Sequence, residues 1–125
     1  MQGKEQKNTW QISIELASKK QFKDYKKKYP REYLSCFANL ERLLEFLNQG
    51  VQGAFEIGFL GSEGENCWRI AQTKVQSAKE TRLYIYVYSD ENTIYVMGVG
   101  NKETQKKDIR EIKEVIRKAF GTGRQ

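Results

Sequence analysis

The run Arg82, Leu83, Tyr84, Ile85, Tyr86, Val87, Tyr88 constrains the fold more than any other stretch of the chain. Its β-branched and aromatic residues suit a pleated surface, and no glycine or proline interrupts it. Alternate residues of a strand share a face. One face therefore carries Arg82, Tyr84, Tyr86 and Tyr88, and the other carries Leu83, Ile85 and Val87. The aliphatic face is apolar enough to pack on helices. The tyrosine face has two readings. With its arginine it can hold phosphates and stack bases. Alternatively, a final helix covers it, and the row becomes a second small core.

The rest of the chain supplies what such a strand needs. Trp10, Ile12, Ile14 and Leu16 alternate with Gln11, Ser13 and Glu15, which predicts a half-buried strand over 10–16. Ser18 then stands as a helix N-cap. Phe22, Tyr25 and Tyr29 give the following helix a thin apolar stripe, and Lys19, Lys20, Lys23, Lys26, Lys27 and Lys28 decorate its remainder as a solvated face. Pro30 ends that helix and opens the next. Leu34, Phe37, Leu40, Leu44 and Leu47, with Leu43 beside them, recur at three and four through Arg31–Asn48 and predict a core-facing helix capped at Gly50. The two helices form an αα-hairpin. A glycine-rich stretch follows, in which 54–60 reads as a short strand or an extended loop. Strands are predicted at Cys67–Lys74, Arg82–Ser89 and Thr93–Gly100, the last two joined by a tight turn at Asp90–Asn92. Thr104 or Asp108 caps a final helix faced by Ile109, Ile112, Ile116 and Ala119/Phe120 and ended by Gly121.

This order predicts an α+β fold: a mainly antiparallel twisted sheet, packed by an N-terminal αα-hairpin, with a C-terminal helix. The first strand must pair with a late one. At 125 residues the chain suits one domain, here 9–121, between a disordered polar start at 1–8 and a polar tail at 122–125. With 12% aromatic residues it can bury enough area to order itself.

Several classes of function are excluded or disfavoured. No apolar run approaches the roughly 20 residues needed to span a bilayer. Residues 1–8 have no apolar core and do not read as a signal peptide. Cys36 and Cys67 have neither metal nor redox spacing, so the cytoplasm is the expected compartment. The chain contains no histidine, which removes His-based triads and His–metal sites. No metal or cofactor is implied.

The net charge of +6 points to a polyanion or an acidic protein as partner. The excess is uneven, a net of +1 over 1–65 and of +5 over 66–125. Trp68 and Ile70 are candidates for the core face of their strand, which puts Arg69 on the same face as Arg82. Asn101, Lys102, Glu103, Lys106 and Lys107 follow the last strand as a basic rim.

The segments from Cys67 to Lys74 and from Thr81 to Ala119, preceded by the strand and helix of 10–29, resemble the RelE/ParE superfamily of bacterial toxins, chiefly in the order of elements. In that family an arginine-led strand, an acidic turn, a strand, a glycine and a basic cluster precede a helix. The resemblance spans about Trp10–Lys118. It implies a RelE-like fold and a type II toxin held by a cognate antitoxin. In the RelE branch it implies a ribosome-dependent endoribonuclease that cleaves messenger RNA without a metal. A ribose 2′-hydroxyl attacks the neighbouring phosphate, which requires a base, cationic stabilisation of the phosphorane and an acid for the leaving oxygen.

Residue by residue, the resemblance implies that Arg82 binds the scissile phosphate. Arg69 matches a basic position on the preceding strand, and Lys102 one after the last strand. Tyr84, Tyr86, Tyr88, Lys74, Lys106 and Lys107 are the candidate RNA-binding residues. The catalytic tyrosine that some members carry near the C-terminus has no match, since Asp108 or Ile109 stands there. The histidine of other branches is absent. The role of base then falls to Glu103 or to a tyrosine of the row. A ParE-branch chain would instead bind DNA gyrase. A third reading is a non-catalytic RNA-binding α+β domain that shares only the layout.

Overall fold

The computed structural model describes residues 9–76 and 78–121; the polar segments at 1–8 and 122–125 lie outside the described residues. The chain is α+β, a five-stranded mixed sheet with three α-helices among the described residues. In chain order these are β1 (Gln11–Ser13), α1 (Lys19–Lys28), α2 (Pro30–Asn48), β2 (Leu60–Gly64), β3 (Cys67–Ala71), β4 (Thr81–Tyr88), β5 (Thr93–Asn101) and α3 (Gln105–Phe120). The sheet order is β1-β5-β4-β3-β2. β1 runs parallel to β5, with Ile12 opposite Ile94, and the other neighbours are antiparallel. No helix among the described residues is long and apolar enough to cross a membrane.

Both faces of the sheet are covered. Leu83, Ile85 and Val87 of β4 join Ile70, Ile94, Val96 and Val99 in a core sealed by Phe22, Cys36, Leu40 and Leu43 from α1 and α2. On the opposite face Tyr84, Tyr86, Tyr95, Met97 and Cys67 meet Ile112 and Ile116 of α3. Of the two readings of the tyrosine row, the second small core is the one that describes this packing. The apolar stripe of α3 falls where the spacing put it, except that Ala119 is exposed and Phe120 alone closes its end.

α1 starts as its sequence dictates, with Ser18 Oγ accepting from the Gln21 N–H at 3.2 Å. It packs on α2 through Phe22, whose ring meets Tyr33 and Phe37 edge-on. Of the predicted face of α2, Leu40 and Leu43 are buried and Phe37, Leu44 and Leu47 pack against the core, but the centre of that face is shifted toward Cys36 and Asn39. Cys36, Asn39, Leu40 and Leu43 point into the sheet, while Leu34 is 56% exposed. The cause is polar. Asn39 Nδ2 donates to the Ala71 carbonyl at 2.8 Å, the Ser35 hydroxyl exchanges two bonds with the Thr73 backbone, and Glu32 accepts from the Lys79 N–H. Those bonds clamp the β3–β4 connection and leave Leu34 outside.

The first strand is shorter than its alternation. Pairing stops at Ser13, and a turn from Ile14 to Ala17 leaves Ile14 60% exposed. β3 ends at Ala71 rather than Lys74, where the chain swings into the clamped connection. The glycine-rich stretch, readable as a short strand or an extended loop over 54–60, holds a 3-10 turn at Ala54–Glu56, and β2 begins only at Leu60.

Candidate functional site

The two arginines singled out by the sequence share a face on neighbouring strands. Arg69 lies opposite Tyr84, and Ala71 opposite Arg82, so the arginines are diagonal neighbours across β3 and β4. On the other side of β4, Gly98 lies opposite Tyr84 and Gly100 opposite Arg82. The β4–β5 register shifts between Tyr84 and Ile85, leaving Met97 as the extra residue on β5. This bulge keeps Gly98 and Gly100 on the tyrosine face. α3 sits directly over both, tightly at Gly98 and with no room for a side chain at Gly100. A Cβ on Gly98 would meet Ile112 at 3.1 Å, and one on Gly100 would fall 2.0 Å from Asp108 Oδ2 and 2.9 Å from Thr104 Oγ1.

Carboxylates hold the cationic groups. Arg69 Nη1 donates to Glu63 Oε2 at 2.5 Å, and its guanidinium lies across Gly61, where a Cβ would clash with it. Glu63 also accepts from Gln105 Nε2 at 2.9 Å, while Lys113 Nζ donates to the Glu63 carbonyl at 2.7 Å. The β2 tip thus ties Arg69 to α3. Arg82 Nη2 lies 3.5 Å from Glu80 Oε1, which Lys102 Nζ also approaches at 3.9 Å.

Among the described residues, Arg82 Nε and the Tyr84 hydroxyl are the buried side-chain polar atoms without a protein hydrogen-bond partner. Leaving such donors unpaired is costly, so a water or an acceptor oxygen at this point would stabilise them. Burial pushes the Tyr84 phenol well above its ordinary value, and the negative charges of Asp108 and Glu63 add to the shift. Arg82 and Arg69 act in the other direction.

The remaining candidates scatter. Lys102 is exposed at the rim beside Glu80. Glu103 is exposed and bound by Lys79 Nζ at 2.9 Å, on the 3-10 turn Lys102–Thr104 that Asn101 caps. Lys74 is exposed in the β3–β4 connection, with a left-handed φ of 61°. Lys106 and Lys107 point outward from the first turn of α3. Tyr84 is fully buried and Tyr86 nearly so. Tyr86 and Tyr88 lie with ring centroids 5.0 and 4.9 Å from Phe120, so neither offers an open platform to a base in this packing.

Asp108, which the sequence marks as a candidate helix cap and as a mismatch to the catalytic tyrosine, lies at the centre of this region. Its Oδ2 accepts from the Thr104 hydroxyl at 2.6 Å. It lines two adjoining cavities of about 230 and 360 Å³ between α1, β5 and α3, which share Gln21, Val99 and Asp108 itself. Burial raises its carboxyl above the ordinary range; the Thr104 hydrogen bond opposes that shift. The close pair of glycines upstream on β5 was its signal, since glycine at both positions admits a helix close to the sheet. Among the described residues no three side chains of the histidine, cysteine, aspartate or glutamate type converge as a metal site would require. No protein-family model matches the chain, and no curated protein is significantly similar to it.

Proposed function

We propose that this chain is a toxin of the RelE type, an endoribonuclease that cuts messenger RNA on the ribosome and is restrained by an acidic or amphipathic antitoxin. The order of elements supports the reading, with α1 and α2 taken as its αα-hairpin and β4 as its arginine-led strand. The observation that carries it is the pairing of Arg82 with Arg69 on one face beside two buried, unpartnered donors, Arg82 Nε and the Tyr84 hydroxyl. A phosphate oxygen is the acceptor such a set favours, because guanidinium binds phosphate bidentately and keeps its charge throughout.

In this reading the 2′-oxygen attacks phosphorus, Arg82 and Arg69 stabilise the charge of the phosphorane, and Lys102 serves the leaving 5′-oxygen from the rim. Primer extension on translating ribosomes tests it. The wild-type chain is expected to cut. Arg82→Ala and Arg82→Lys are each expected to lose about 10²–10³ in rate while staying folded. Lys19→Ala, on the solvated face of α1, is expected to change little. Cutting that survives Arg82→Ala rejects the site.

One observation favours a second reading. The guanidinium of Arg69 is engaged by Glu63, and the tyrosine rings are closed under α3, an arrangement suited to a binder that performs no chemistry. Such a chain would follow the ParE branch. It would inhibit DNA gyrase supercoiling and leave ribosomal RNA and messenger intact.

A further inference from the structure

Cleavage by 2′-hydroxyl attack needs a proton acceptor, and the acids around the arginines differ sharply in their freedom to serve. Glu63 is taken by Arg69 and Gln105, Glu80 by Arg82 and Lys102, and Glu103 by Lys79. Asp108 alone of this set has no lysine or arginine nitrogen within 4.0 Å among the described residues. Its protein partner is the Thr104 hydroxyl, which donates to Oδ2.

Its position is equally specific. Oδ2 sits 2.0 Å from where a Cβ on Gly100 would be, and Gly100 is the cross-strand partner of Arg82. From α3, the carboxylate therefore fills the place of a side chain at residue 100. Cross-strand Cβ positions lie about 5 Å apart, so carboxylate and guanidinium stem from adjoining points of one face. The carboxylate also lines the cleft between α1, β5 and α3, which leaves it open to a bound group.

We propose that Asp108 is the general base of the cleavage reaction. This rests on the ribonuclease reading above. A lone pair of the carboxylate takes the 2′-hydroxyl proton as the 2′-oxygen bonds to phosphorus. The bond from phosphorus to the 5′-oxygen breaks, and that oxygen takes a proton from Lys102 or water. The products are a 2′,3′-cyclic phosphate and a 5′-hydroxyl. Asp108 then returns its proton to solvent, so no oxidant, metal or further reactant enters.

The test compares wild type, Asp108→Asn and Asp108→Ser on ribosomes programmed with one messenger, under single-turnover conditions. Thermal midpoint and ribosome affinity are measured in parallel. Asparagine keeps the shape of the side chain and the bond from Thr104 but cannot take the proton. The Asn variant is expected to be folded, to bind as wild type does and to cut at least ~10²-fold more slowly. The Ser variant, which relieves the crowding over Gly100, is expected to fold and to be equally slow. A folded Asn or Ser variant cutting within about threefold of wild type overturns the proposal and leaves the ribonuclease reading intact. A wild-type chain that does not cut overturns both.

Discussion

Gly100 is the residue on which site and fold depend together. Its lack of a side chain lets α3 lower Asp108 and Thr104 onto β5, with no room left for a methyl group. Gly100→Ala is expected to destabilise the chain by about 1–3 kcal/mol, the usual cost of overpacking. Part of that strain is relieved by swinging the Asp108 side chain away. Urea unfolding reports the cost, and in a chain that cuts RNA the loss of rate should exceed what the altered stability explains. Gly98→Ala meets a flexible Ile112 methyl at 3.1 Å, so a smaller cost is expected there. Finding Gly98→Ala costlier than Gly100→Ala would contradict this account.

Among the elements, α2 shows where the amino-acid pattern is a poor guide. The leucine spacing selects Leu34 as core together with Leu40, Leu43 and Leu44, whereas Leu34 is exposed and the helix turns Glu32 and Asn39 to the sheet in its stead. Leu34→Ala is therefore expected to shift stability by no more than about 0.5 kcal/mol. Leu43→Ala should cost about 2–5 kcal/mol, since Leu43 is fully buried. Asn39→Ala leaves the Ala71 carbonyl and Thr73 hydroxyl short of a donor and should cost about 1–3 kcal/mol. Chemical denaturation of the three variants separates them, and equal losses at positions 34 and 43 would return Leu34 to the core.

Period-two alternation was sufficient to put Arg69 and Arg82 on one face, because a strand's geometry is local. The 3.6 period likewise located Ile112 and Ile116 on α3, where no polar residue competes for the buried side. Glu63, Gln105 and Lys113 were not legible, because they meet across 42 and 50 residues of chain and nothing local marks the contact. The fate of the tyrosine row turned on α3 docking there, and both outcomes suit the same alternation.

At the scale of the whole molecule, one thiol is buried in each core, Cys36 on the sheet-facing side of α2 and Cys67 on β3 beneath α3. Burial pushes them up to about 12 and about 11, against 9.0 for a free thiol. The unfolded chain thus ionises first. Their contribution to stability is complete below pH 9 and is lost as pH climbs through about 11 and about 12. Urea midpoints should fall steeply above pH 9, and the fall should be shallower in the Cys36→Ala/Cys67→Ala double variant. A double variant as alkali-sensitive as wild type would assign the decline to other groups. The parallel pairing of β1 with β5 also governs how the chain matures during synthesis. Gln11 must await Thr93, and α3 is made last of all the described elements. A nascent chain can therefore form α1 and α2 early, but its sheet is unfinished until β5 leaves the exit tunnel and its tyrosine face is uncovered until α3 follows. Arg82, Gly100 and Asp108 meet only then, so this cluster is assembled only after the codons for every described element have been read.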